Sequence, residues 1–259
     1  MVYLMVEQQF AKYPWCQRTI RGIFEEVRKR RIHVQEVREL PGGAEERSCV
    51  LLVGASEEWI NQTARGAGSL GLHPIVLSNR ETNSSGLSVS SVKMDIHSSM
   101  ELAVDYLRTL SRERLALFGV NPSASSDLWR ARRFGELTGR EGDVFFLGSS
   151  VNEIFDQFYE KIHRYDGVIC ASDYAAVSLV GRLREKNYAI PEKLYVVGYG
   201  DMFLSRLFRP SITSISDDYE SFGKAALAIC AMMEKNDAFS VVSVKLKSRL
   251  HIRETTENR

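Results

Sequence analysis

The chain has 259 residues, 44% of them apolar and 26% charged, with 34 Lys and Arg against 33 Asp and Glu. This composition excludes a disordered chain, a collagen-like fibre and a disulfide-stapled mini-domain, and the length calls for one large domain or two lobes. A net charge of +1 supplies no overall field that would hold the chain on a phosphate backbone.

Short apolar runs alternate with longer helical patterns. Tyr3–Val6 reads as a strand, and Thr19 to Arg31 then places Ile20, Ile23, Phe24 and Val27 on one helical face. Strands at Val50–Val53 and Pro74–Leu77 enclose a helix starting near Glu57. A helix over Met100–Leu110 leads to the strand Leu115–Phe118. Helices around Leu128–Leu137, Asn152–His163 and Ala175–Lys186 then alternate with strands at Val144–Leu147, Gly167–Ala171 and Leu194–Val197. Apolar runs of this kind, separated by helices, are the pattern of parallel sheets buried on both faces. A helix at Ala225–Met233 and two consecutive strands, Val241–Leu246 and Leu250–Arg253, close the chain. The polar, serine-rich stretch Asn79–Ser91 reads as an exposed loop. So many βα units predict two α/β lobes, with a break near Ser111–Arg112.

Most motifs that could carry chemistry fail on context. Gly66 to Gly71 spells G-x-G-x-x-G, but a helix precedes it and a strand follows, the reverse of the order a dinucleotide site requires. The five histidines are scattered, with no metal-ligand spacing, so neither metal nor cofactor is expected. Cys16, Cys49, Cys170 and Cys230 sit among apolar residues and read as reduced core thiols. The basic run Arg28-Lys29-Arg30-Arg31 suits a helix C-terminus. Nothing reads as a nucleophile elbow or a helix-turn-helix, so no enzyme is expected and no DNA contact from this chain itself. The acidic Glu7 follows the first apolar run directly, and no run reaches the length of a membrane span. A cytoplasmic protein without a membrane partner is therefore expected.

Polar and aromatic residues do collect where α/β proteins bind ligands, after the strands. They are Gln9, Tyr13 and Trp15 after the first strand, Ser172 and Asp173 after Val168–Cys170, and Tyr199 and Asp201 after Tyr195–Val197. Asp95, Arg130 and Asp217 stand in similar positions. An aromatic plate with a guanidinium fork and carboxylates suits a polyhydroxylated ligand. Asp95 and Asp173 could equally cap the helices that follow them.

Ile190-Pro191-Glu192-Lys193-Leu194-Tyr195-Val196-Val197-Gly198-Tyr199-Gly200-Asp201 resembles the "vP-x-d-v-s-vvG-[FY]-D-D" stretch of the LacI/GalR family of transcriptional regulators. Val92–Asp95, Asp166–Asp173, Arg209–Ile215, Phe222–Ala226 and Leu250–Thr256 resemble further family motifs in the same order. The resemblance implies a periplasmic-binding-protein-like type I fold: α/β, two Rossmann-like lobes with parallel sheets, three crossovers and an effector cleft between the lobes. It implies lobes of residues 1–111 with 218–238 and 112–217 with 239–259. It also implies a homodimer that senses a small polar molecule such as a sugar. Operator DNA would be bound only through an N-terminal helix-turn-helix absent from this chain, as in an excised effector domain. A solute-binding protein of a sugar transporter is the alternative with the same fold. Trp15 is similar to the family's effector-packing aromatic, Asp95 to its first-lobe aspartate and Arg130 to the arginine of "R-x-x-G-[FW]". The chain departs from the family at Ser172 (asparagine), Gly200 (aspartate) and Arg133 (glycine), which leaves Asp201 or Asp217 to hold ligand hydroxyls.

Overall fold

The computed structural model describes residues 1–45, 47–79, 89–148, 151–235 and 241–257. The chain forms two compact units, Met1–Asp95 with Asp218–Lys247 and Ile96–Asp217 with Ser248–Arg259. In chain order the first unit opens with β1 (Val2–Val6), α1 (Pro14–Arg30), β2 (Val34–Glu36), β3 (Cys49–Val53), α2 (Glu57–Ser69), β4 (His73–Ser78) and β5 (Ser90–Met94). The second contains α3 (Ile96–Thr109), β6 (Leu115–Val120), α4 (Ser125–Thr138), β7 (Val144–Phe146) and α5 (Val151–Glu160). It continues through β8 (Gly167–Cys170), α6 (Asp173–Glu185), β9 (Tyr195–Tyr199), α7 (Phe203–Leu207) and β10 (Thr213–Ser216). The chain then returns to the first unit for α8 (Ser221–Lys235) and β11 (Ser243–Leu246), and ends in the second with β12 (Arg249–His251).

Among the described residues each unit holds a six-stranded sheet, β11-β5-β4-β3-β1-β2 in the first and β12-β10-β9-β8-β6-β7 in the second. Among the described residues the strand pairings are parallel except β10 with β12. Side chains alternate across each sheet, so one apolar run fills two cores. In the second unit Phe118, Val168, Cys170 and Val196 pack with residues of α5 and α6, whereas Leu117, Ile169, Val197 and Ile215 pack with α3 and α4.

Three features depart from the expected organisation. The expected first lobe of residues 1–111 includes the third helix, but Met100, Ala103, Val104 and Leu107 form a buried i, i+3, i+4, i+7 stripe against the second sheet. The expected second lobe includes residues 239–247, yet β11 pairs with β5 of the first sheet in the register Val92↔Val244. Of the two strands expected in succession at the end, each therefore completes a different sheet. Finally, the expected exposed loop at Asn79–Ser91 holds only in part. Residues 80–88 lie outside the described residues, but Ser90 and Ser91 are buried in β5. Their hydroxyls have partners, since Ser90 Oγ accepts from Val242 N at 3.0 Å and Ser91 Oγ lies 3.2 Å from Ser243 Oγ.

The buried stripe of α1 is also rotated from the expected face. It runs through Trp15, Cys16, Thr19, Gly22 and Ile23, while Phe24 is 36% exposed. The cause is α8, which packs on α1 through two glycines. A Cβ on Gly22 would lie 2.1 Å from Glu220 O, and one on Gly223 would lie 2.4 Å from the Gly22 carbonyl. All four cysteines are buried and free. No helix of the described residues is long and apolar enough to cross a membrane.

Candidate functional site

Parallel strands bring their carboxyl ends to one edge of each sheet, and loops there carry the polar residues. In the second unit, Asp217 follows β10 and Tyr199 ends β9. Arg130 sits one turn inside α4, the helix entered from β6. The three meet. The Arg130 guanidinium lies 3.8 Å from the Tyr199 ring centroid, and its Nη1 donates to Asp127 Oδ1 at 2.7 Å. The Tyr199 hydroxyl reaches both oxygens of Asp217 at 2.8 Å, and Ser248 Oγ donates to Asp217 Oδ1 at 2.7 Å. Burial pushes the Tyr199 hydroxyl up to about 12, with Arg130 opposing and Asp217 adding to the rise, so it remains a donor at neutral pH. Burial disfavours the Arg130 charge, but Tyr199, Asp217 and Asp127 outweigh it and raise its pKa further. The result is a fixed cation, stacked on one face and held at one nitrogen. A guanidinium carries five N–H donors, so it can grip adjacent ligand oxygens through the others.

Ser172, Asp173 and Asp201 are drawn into the unit's own architecture. Ser172 caps α6, its Oγ accepting from Ala175 N at 3.2 Å. Asp173 is fully buried; its Oδ1 accepts from Ser214 Oγ and its Oδ2 from Met202 N, both at 2.6 Å. Burial raises its pKa. Asp201, at a left-handed φ of 46°, is ion-paired with Arg206 and Arg253, and His251 Nε2 stands 3.6 Å away. Burial would raise its pKa, but the two arginines prevail and hold it low. The expectation that Asp201 takes over the missing aspartate of "D-D" therefore meets a carboxylate already engaged by three basic side chains.

In the first unit, the loop after β1 carries Glu7, Gln9 and the aromatics. Glu7, which sequence reasoning passed over, is its anchor. Oε2 accepts from Ala55 N at 2.9 Å and Ser56 N at 3.1 Å, while Oε1 accepts from Ser56 Oγ and Gln9 Nε2. Burial works to raise its pKa, and hydrogen bonds from Ser56, Gln9 and Ala55 overcome it, so the carboxylate is held below its ordinary value. The exposed Gln9 is thereby tied to the β3–α2 turn. Trp15 is buried between Phe10, at 6.1 Å, and Tyr219, at 6.4 Å; the exposed aromatic is Tyr13. Asp95 stands at the end of β5, its N–H donating to Leu246 O at 2.8 Å.

Asp127 and Ser248 also escaped sequence reasoning. Asp127 had a signal, since it sits three residues before Arg130 in a helix and so shares its face. Ser248 had none, because it reaches the site only through the fold. Among the described residues no cluster of His, Cys, Asp or Glu could hold a metal ion.

A family model described as a periplasmic binding protein-like domain matches residues 104–256, more than half of the chain. The chain belongs to the periplasmic binding protein-like family. It is 29% identical over 119 residues to the HTH-type transcriptional regulator RegA of Clostridium saccharobutylicum, covering 46% of this chain and spanning only 32% of that relative's length. A LacI transcriptional regulator from a Rhodococcus species has the same fold, with a TM-score of 0.68 at 21% identity over 99% of this chain and 98% of that one. So has a LacI family transcriptional regulator from Enterococcus faecalis with bound ribose, with a TM-score of 0.66 at 19% identity over 99% and 98% of the two chains. Two α/β units with mostly parallel sheets are the architecture this chain shares with them.

Proposed function

We propose that this domain is the effector-sensing and self-associating part of a LacI-type transcriptional regulator, that its effector is a small polyhydroxylated molecule of the sugar class, and that DNA is bound by another segment. The observation that carries this reading is the cluster of Arg130, Tyr199 and Asp217. It sets a permanent cation and a carboxylate side by side on a half-buried tyrosine, at the sheet edge where α/β proteins hold ligands. The ribose bound by the Enterococcus faecalis protein points to the same class. Gln9, Tyr13, Trp15 and Asp95, all in the first unit, are proposed as further effector-contacting residues. Ser172, Asp173 and Asp201 serve it indirectly, by fixing the turns around Tyr199.

Self-association has a physical basis in the second unit, where Tyr174, Phe203 and Leu207 are 62%, 73% and 60% exposed on the adjoining helices α6 and α7. Large apolar side chains gathered in this way mark contact surfaces. An effector with different affinities for two states of the domain would shift their populations, and with them the attached DNA-binding heads, by that difference.

A thermal-shift screen of sugars and polyols tests the reading, because a ligand bound only by the folded state raises the melting temperature. The expected outcome is stabilisation by at least one sugar, lost in Arg130→Ala while circular dichroism stays native. Equal affinity in Arg130→Ala would remove Arg130 from the site, and a screen without any stabilising sugar would overturn the assigned ligand class.

A further inference from the structure

We infer that Cys49 and Cys230 form an oxidisable dithiol in the first unit, a modification site at which a small hydroperoxide closes a disulfide between β3 and α8. The sheet brings the two thiols together. Side chains alternate along β3, and Val50 and Leu52 enter the core on the α2 side, so Cys49 faces the opposite side. No residue of α8 enters the α2-side core, and α8 packs on β4 and β5, beside β3. Cys230 is among the buried residues of α8, with Ala226, Leu227 and Met233. Both cysteines are free and buried, and the Cys230 S–H donates to Cys49 Sγ.

That contact makes the two sulfurs unequal. The hydrogen bond from Cys230 lowers the Cys49 pKa, with help from the Met1 ammonium and against burial and Glu234. Cys230, which holds the shared proton and is itself buried, is raised. The other two thiols have no such donor: burial, with Glu7 adding, pushes Cys16 up to about 11, and burial with Asp173 raises Cys170 as well. The thiolate is the nucleophile, so Cys49 reacts first and Cys230 resolves.

The Cys49 thiolate attacks one oxygen of hydrogen peroxide: an S–O bond forms, the O–O bond breaks, and hydroxide leaves and is protonated to water. The Cys230 sulfur then attacks the Cys49 sulfenic acid: the S–S bond forms, the S–O bond breaks, and the Cys230 proton departs with that oxygen as a second water. Two thiols lose two electrons and the peroxide gains them. The chain between the two cysteines includes Ile96–Asp217 of the second unit, so the bridge closes a long loop and restricts the unfolded chain accordingly. Oxidation thereby fastens α8 to an interior strand of the first sheet.

The test treats the wild-type chain, Cys16→Ala, Cys49→Ala and Cys230→Ala with hydrogen peroxide, blocks the remaining thiols with N-ethylmaleimide in denaturant, and maps the unreduced peptides by mass spectrometry. The expected result is a Cys49–Cys230 linked peptide in wild type and Cys16→Ala that dithiothreitol abolishes, with the melting temperature raised by about 5 °C or more. Cys230→Ala should stop at a Cys49 sulfenic acid trapped by dimedone, and Cys49→Ala should leave Cys230 as a thiol. Four thiols that all react with N-ethylmaleimide after peroxide, or a bridge made through Cys16 or between chains, overturn the dithiol. The wild-type and Cys16→Ala maps decide this even if the other two variants fail to fold.

Discussion

Tyr199 holds two partners by two different means, and substitution can separate them. Tyr199→Phe deletes the hydroxyl that donates to both oxygens of the buried Asp217 but keeps the ring on which Arg130 stacks. A hydrogen bond to a charged acceptor is worth about 1.5–3 kcal/mol, and Asp217 retains Ser248, so a loss of about 2 kcal/mol is expected. At about 4 °C per kcal/mol for a domain of this size, the transition of the second unit falls by about 8 °C. Tyr199→Leu removes the ring as well, forfeiting packing and a partly desolvated cation–π contact of about 1–2 kcal/mol. It should weaken binding of the stabilising sugar about tenfold or more, whereas Tyr199→Phe should stay within about threefold of wild type. Differential scanning calorimetry gives the stability and titration calorimetry the affinity. Were Tyr199→Phe as stable as wild type, the Tyr199–Asp217 bond would carry no weight. Were the two variants equal in affinity, the ring would not be what holds Arg130 ready.

Three further outcomes follow from the described geometry. Asp201 is held below its ordinary value in the folded chain, so its ion pairs stabilise at neutral pH and are lost as pH falls past 3.8 and through its lowered pKa; the stability gap between wild type and Asp201→Asn in urea melts should narrow over that interval, and a constant gap would contradict the pairing. Gly223→Ala drives a methyl group into the Gly22 carbonyl and should cost about 3 kcal/mol or more, read as faster amide exchange in α8; unchanged protection would mean that the helices can part freely. Phe203→Asp places a charge on the exposed apolar surface of α7 and should convert the dimer proposed above to a monomer in light scattering with the melting temperature preserved; a persistent dimer would move the contact elsewhere.

The alternation of strands and helices was plain in the sequence because β1, β3, β6, β8 and β9 are apolar runs that are buried over most of their length. β5 and β10 escaped notice because Ser90, Ser91, Ser214 and Ser216 give them the look of loops. Only in the fold do these hydroxyls meet Val242 N, Ser243, Asp173 and His251. The destination of β11 was equally hidden, since which sheet edge a short strand joins is decided by pairing at long range. At the site, Arg130, Tyr199 and Asp217 could be named one by one, but their union could not, as it depends on three loops meeting at one edge. The carboxylates of Asp173 and Asp201 looked available for the opposite reason: their partners Ser214 and Arg253 lie 41 and 52 residues away.

The first unit is interrupted in the gene as well as in space. When a ribosome has released everything through β10, that unit still lacks α8 and β11, so α1 presents a bare glycine notch and β5 an open hydrogen-bonding margin. The second unit, by contrast, then waits only for β12 and the closing segment. The half that is translated first is thus obliged to linger unfinished, a nascent chain with an adhesive rim of the kind chaperones cover. Slowing elongation between the codons for residues 217 and 247 would lengthen that exposure and lower the soluble yield.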